Sequence, residues 1–232
     1  MNQAHLPSKI SLLVIALFVS LSTAFSEQRP NIIFILVDDM GFSDIGCYGG
    51  EVNTPHLDRL AENGLRFTNM YNTSKCFPSR ACLLTGVYAQ QCGMNRSSKG
   101  IKNAITMADL LRTEGYRTLA VGKHHSNHSL HDRGFDRFYG FLDAETDHYS
   151  PELIRDNTHI SPPGNYESGY HLTEDLFDQS IEFIASHQAS LPTVPWMTFI
   201  GLGACHAPHQ APKNSGCHRL QIEAQVYRTK QI

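Results

Sequence analysis

The order of segments in this chain predicts an α/β fold, a sheet with helices on its faces. Two observations carry that prediction. Three short apolar runs, at residues 31–37, 116–121 and 195–203, are separated by helix-like segments. Each run also ends abruptly in polar residues. The first run (NIIFILV) is continuously apolar, as expected of a strand buried on both faces, and stops at Asp38-Asp39. A Gly-rich turn region follows at 41–50. Thr54 as N-cap, Pro55 at the first helical position and Gly64 just past the end then bracket a helix, with Leu57, Leu60 and Ala61 as its apolar stripe. A second helix is predicted from Ser79, or just after it, through Arg80, Ala81, Leu83 and Leu84 to Gly86. A third runs over 107–113, between Thr106 and Gly115. The second strand (YRTLAV) ends in Gly122-Lys123. Residues 131–170, rich in Gly, Pro, Asp and aromatics, read as loop with short elements. Residues 172–186 form an amphipathic helix with Leu176, Ile181, Phe183 and Ile184 inward. The last strand (PWMTFIGLG) ends near Cys205-His206.

Composition narrows the function. The 232 residues are 41% hydrophobic and 18% charged, with a net charge of -3. That balance gives no electrostatic case for nucleic acid or an acidic membrane surface as partner. Lys9 precedes a short apolar run, ISLLVIALFVSL, followed by Ser22, Thr23, Ala24 and Ser26. The run falls short of the roughly 20 apolar residues of a membrane span. It fits a signal peptide over 1–25, and hence a secreted or periplasmic protein, and no later stretch reads as transmembrane. Six cysteines follow, at 47, 76, 82, 92, 205 and 217. Their spacings match no disulfide framework, and without a CxxC pair they do not suggest structural zinc. The N-x-S/T patterns at Asn72, Asn95 and Asn127 are short enough to arise by chance.

The polar residues at the strand ends carry the chemistry. Asp38-Asp39, Lys123 and His206 each follow an apolar strand, at the edge of an α/β sheet where ligands bind. Paired carboxylates suit a hard cation, though Asp38-Asp39 alone also fits a strand-ending turn. In an extended segment Lys123 and His125 would face the same side. His124, His125 and His128 alone could equally be a solvated loop. His206 and His209 are three apart, but Pro208 argues against a helix that would pair them on zinc. Between these elements lies Cys76-Phe77-Pro78-Ser79-Arg80. Pro78 and Ser79 suit a helix start, with Ser79 able to cap it, which would set Cys76 beside a positive helix end where anions bind and a thiol pKa falls. Taken alone, the pattern also fits a buried or disulfide-bonded cysteine ahead of an ordinary helix.

Read together, these segments resemble the type I sulfatases. The resemblance runs through residues 31–39, NTPHLDRL at 53–60, GLRFT at 64–68, and Cys76 to Arg80 with LLTG at 83–86. It continues through Gly115-Tyr116, Gly122-Lys123 with His125, and His206-Ala207-Pro208, spanning about residues 29–212. It implies an alkaline-phosphatase-like α/β/α sandwich with a mostly parallel central sheet, the catalytic domain occupying 29–216. It also implies that Cys76 is oxidised to Cα-formylglycine by a formylglycine-generating or maturase enzyme that reads Pro78 and Arg80. One hydroxyl of the hydrated aldehyde would attack sulfur, and the other would release the sulfate. Asp38, Asp39 and position 76 would hold a divalent cation, Ca²⁺ rather than Mg²⁺. Arg80 would steady the gem-diol and Lys123 the sulfate oxygens. His125 would be the base, and His206 the partner of the leaving-group oxygen. The family leaves His124 without a role and His209 undecided.

Some of the family's features are absent. The family carries a second metal pair, Asp-Asn or Asp-Gln, on a later strand, followed by another lysine. Here Asp156-Asn157 precedes His206, and no aspartate follows Asp178. The domain is therefore expected to be incomplete at its C-terminal end, with a divergent tail over 217–232. The substrate expected is a sulfated small molecule or carbohydrate. A catalytically inactive sulfatase fragment and a formylglycine-dependent phosphonate or phosphodiester hydrolase are the alternatives.

Overall fold

The computed structural model describes residues 29–213. The expected signal peptide and the expected tail, Cys217 included, lie outside the described residues. A six-stranded sheet runs in the order β1-β6-β2-β3-β4-β5. Its strands are β1 (Ile32–Leu36), β2 (Arg117–Lys123), β3 (Arg137–Phe141), β4 (Leu153–Arg155), β5 (Thr158–Ile160) and β6 (Trp196–Gly201). The first four in spatial order, β1, β6, β2 and β3, are parallel, and β4 and β5 add an antiparallel edge. The helices are α1 (Pro55–Glu62), α2 (Cys76–Thr85), α3 (Met107–Thr113) and α4 (Leu172–Ser190).

Side-chain alternation divides the sheet into two cores. Ala120, Phe138, Met197 and Phe199 face α2 and α3, meeting Phe77, Ala81, Leu84 and Ala108. Leu119, Val121, Tyr139, Phe141 and Ile200 face α4, meeting Leu172, Leu176 and Phe183. Helices on both faces explain why β2 and β6 are buried almost along their whole length.

Several elements differ from the sequence reading. β1 is an edge strand, so Ile33 and Ile35 are about half exposed and only one of its faces is covered. α2 begins at Cys76, not Ser79; Lys75 is its N-cap, and the Ser79 hydroxyl bonds Thr73 Oγ1 at 2.7 Å instead of capping. Thr54 does not cap α1 through its side chain, which accepts from the Gly46 N–H and donates to Asp58 Oδ1. The α1 stripe meets no core, since none of its residues is buried. α4 runs one turn further than expected, to Ser190, and leaves Ile181 exposed. β3 is one of the short elements inside the stretch read as loop. Its sequence RFYGF breaks the apolar pattern with Gly140 because Gly140 pairs with Gly122 across a close approach of two strands. A Cβ on Gly140 would lie 2.0 Å from the Gly122 carbonyl oxygen. α3 forms over the expected residues and is closed by a capping box. Thr106 Oγ1 accepts from Asp109 N–H, and Asp109 Oδ2 accepts from Thr106 N–H.

Phe199 is 1% exposed and stacks on Phe34 with ring centroids 6.0 Å apart, whereas Ile33 is 55% exposed. Phe199→Ala should lower unfolding stability by about 3–5 kcal/mol. Ile33→Ala should change it by less than about 0.5 kcal/mol. Urea denaturation of the two variants measures both.

Candidate active site

The C-terminal end of β1 and the N-terminal end of α2 meet around a cleft of about 330 Å³ lined by Asp38, Asp39, Asn72, Lys75, Cys76 and Arg80, among others, and Arg80 ties it to the ends of β2 and β6. Position 76 is the first residue of α2 and lines the cleft, so it sits at the positive end of the helix dipole. One turn later Arg80 points back under the strand ends and is 2% exposed. Its Nη1 donates to the Lys123 carbonyl at 2.8 Å and its Nη2 to the Leu202 carbonyl at 3.2 Å. Nη2 also stands 3.5 Å from Asp38 Oδ2.

Lys123 is fully buried, and its Nζ donates to Asp38 Oδ2. Asp38 is therefore the shared counter-ion of two buried cations. Burial pulls the Arg80 guanidinium below its usual value, and the neighbouring Asp38 and Cys76 charges oppose that pull. Two cations against one buried carboxylate leave an excess positive charge under the cleft, the electrostatics an anionic group requires.

His125 sits just past β2 at φ 58°, in the left-handed region, so it does not share an extended segment with Lys123 as the spacing suggested. Its ring packs edge-on against Phe77 with centroids 5.4 Å apart. Burial first, then Lys123 and Arg80, lower its pKa to about 4. It is a neutral imidazole at neutral pH and able to accept a proton. Its Nδ1 and Arg80 Nε are buried with no hydrogen-bond partner among the described residues. His124 is buried rather than solvated, its pKa lowered to about 3 by burial and then by Arg80. His206 lies at the rim, its Nε2 3.8 Å from Asp39 Oδ2 and its Nδ1 4.0 Å from Glu145 Oε2. His209 is exposed.

Asp38, Asp39, Cys76 and Arg80 thus share one cleft, with Lys123 on Asp38 and His206 on Asp39. Sequence reasoning missed Asn72, Ser74 and Lys75, which line the mouth. Their one signal was position, immediately before the cysteine motif. The donor chemistry of Asp38 and Asp39 suits a hard cation. However, Asp38 Oδ2 is engaged by Lys123 and Arg80, and no cluster of three or more His, Cys, Asp or Glu forms among the described residues. A hard cation takes about six to eight oxygens, so these residues do not by themselves hold one. The five described cysteines are free thiols.

Two outcomes follow from the buried charges. Asp38→Asn strands Lys123 and Arg80 without their carboxylate and should cost about 3–5 kcal/mol by urea unfolding at pH 7. The second concerns acid. His124, His125 and His148 titrate at about 3, 4 and 4 in the folded chain, against an ordinary value of 6.5. Between pH 6.5 and about 4 the unfolded state binds more protons, so stability falls as pH drops through that window. A chain carrying His124→Phe should show a shallower fall of the urea midpoint between pH 7 and pH 4.5.

Comparison with known proteins places this architecture. The sulfatase family model matches residues 30–218. The arylsulfatase of Klebsiella aerogenes is 31% identical over 240 residues, covering 89% of this chain and 50% of that protein. The N-acetylglucosamine-6-O-sulfatase of Bacteroides thetaiotaomicron is 33% identical, covering 82% of this chain and 33% of that protein. The chain thus spans half or less of the length of these relatives. A protein solved in complex with its substrate D-glucosamine-2-N,6-O-disulfate superposes with TM-score 0.68 at 32% identity, over 77% of this chain and 35% of that one. The phosphonate monoester hydrolase of Agrobacterium radiobacter, at TM-score 0.56 and 19% identity, shares the fold alone. The mostly parallel α/β sheet is of the alkaline-phosphatase-like kind found in these neighbours. By the family match along nearly all of its described residues, this chain belongs to the sulfatases.

Proposed function

We propose that this chain is the part of a secreted or periplasmic sulfuric ester hydrolase that carries the nucleophile and the sulfate cradle, acting on a sulfated small molecule or carbohydrate. The observation that carries the reading is the convergence on one cleft of Cys76 at a helix N-terminus, buried Arg80 and the tandem aspartates, with buried Lys123 bonded to Asp38 behind it. Sulfatases generally use formylglycine and a divalent cation. Oxidised to formylglycine, position 76 would supply a hydrated aldehyde as nucleophile.

The remaining work falls to residues of this chain. Arg80 and Lys123 supply fixed positive charge to the sulfate oxygens, and the positive end of the α2 dipole adds to it on the same side. Neutral His125 takes the proton released at position 76. His206, at the rim, serves the oxygen of the departing alcohol. Asp38 and Asp39 contribute oxygen ligands to the cation, which we propose is Ca²⁺. Because the described residues do not complete its shell, no step is assigned to it. The residues flanking Cys76 bear on maturation. Phe77, Pro78 and Arg80 are buried, so a formylglycine-generating enzyme would read the motif before α2 packs.

The test is hydrolysis of 4-nitrophenyl sulfate after co-expression with a formylglycine-generating enzyme. Turnover should vanish in Cys76→Ala and fall about 100-fold or more in Arg80→Ala. Turnover equal to that of Cys76→Ala would overturn the hydrolase reading in favour of a non-catalytic sulfatase domain. Faster cleavage of a matched phosphonate or phosphodiester would reassign the substrate class.

A further inference from the structure

We infer that Gln210, outside every motif of the site, is a positioning residue that fixes the segment carrying His206 over the cleft. The inference rests on the leaving-group role proposed for His206. That segment is pinned at two ends. At the near end it is stitched to β1: Asp38 N–H donates to the Ala204 carbonyl at 3.0 Å, and Cys205 N–H donates to the Asp38 carbonyl at 2.6 Å. Between the pins, His206 N–H donates to the Gly203 carbonyl, and its ring Nδ1 lies 2.6 Å from the Ala207 carbonyl.

The far pin is Gln210, whose side chain is used at both atoms. Its Oε1 accepts from the His148 N–H at 2.7 Å, and its Nε2 donates to Asp147 Oδ2 at 2.8 Å. Its backbone carbonyl lies 3.0 Å from His171 Nε2. His171 Nδ1 accepts from the Thr173 N–H at the start of α4, so Nε2 carries the proton and donates to Gln210. Tyr149 reinforces the same point by donating its hydroxyl to the Ala211 carbonyl at 2.7 Å. His148 and His171 pack edge-on beneath, with centroids 5.4 Å apart.

A side chain that bonds backbone on one side and a carboxylate on the other fixes both position and rotation. An imidazole at a rim needs such support, because among the described residues the His206 ring has one carbonyl and two distant carboxylates to hold it. A displacement of about 1 Å at a reacting group costs on the order of 100-fold in rate. Asp147, 63 residues before Gln210 in sequence, becomes the outer support of the site.

Two measurements on the full chain test this. The first is hydrogen exchange, which needs no activity. Gln210→Ala and Asp147→Ala should each speed exchange across residues 203–211 while leaving β2 and β6 unchanged. The second compares phenyl sulfate, with a poor leaving group, against 4-nitrophenyl sulfate, with a good one. His206→Ala should depress the poor substrate more than the good one. Gln210→Ala should copy that pattern at about 10-fold or more, and Gln210→Ala with Asp147→Ala should be no worse than either alone. Unchanged exchange in both single variants overturns the inference whatever the activity. Faster exchange with equal losses on the two substrates, where His206→Ala discriminates, overturns it as a device for His206. A His206→Ala variant that does not discriminate instead sinks the role given to His206, and exchange alone then decides for or against the clamp.

Discussion

Asp38 is the group on which the site depends. Lys123 and Arg80 are both removed from water, and taking a cation out of water costs several kcal/mol unless an opposite charge meets it. One carboxylate, at the end of β1, meets both. The consequence is geometric as well as energetic. The end of β1, the end of β2 and the second turn of α2 are locked to one oxygen atom, and Arg80 also bonds backbone carbonyls at the ends of β2 and β6. Gly201 leaves room for this: a Cβ there would lie 2.9 Å from Arg80 Nη1 and 2.7 Å from the Lys123 carbonyl. Position 76 therefore faces a cradle whose shape is set by the requirement to neutralise buried charge.

The same burial divides labour among the titratable groups. Desolvation works against charge on every group it touches. At Arg80 the Asp38 charge opposes the pull of burial, while at His125 burial, Lys123 and Arg80 outweigh Asp38, and burial and Arg80 hold His124 neutral as well. One small region thus holds permanent positive charge beside an imidazole free to take a proton. Asp39 and His125 both adopt left-handed backbone, at φ 54° and 58°. Non-glycine residues in that conformation cost free energy, and such strain gathers where side chains must be aimed.

Legibility in the sequence followed the range of the interaction. α3 was readable to the residue because its capping box joins Thr106 to Asp109, three positions apart. Strands β2 and β6 were readable because both faces are buried, leaving mostly apolar runs. β3 was legible only as one of the short elements of a loop stretch, because its glycine answers a neighbouring strand, a fact no local pattern contains. The start of α2 was misplaced because Ser79 looked like a cap, whereas its hydroxyl is taken by Thr73. At β1 the pattern promised two covered faces, and the position at the sheet's edge left one open among the described residues.

By itself the sequence determined the α/β class, the ends of the central strands and the set of chemical groups gathered there. Those follow from periodicity, caps and residue type, which act over a few positions. Only the tertiary structure decided that Lys123 and Arg80 share Asp38, that His125 turns through a left-handed residue, and that Gln210 reaches Asp147. The ion pairs and the Gln210 bond join residues tens of positions apart, and burial makes the contacts of Lys123 and Arg80 obligatory once the chain has folded.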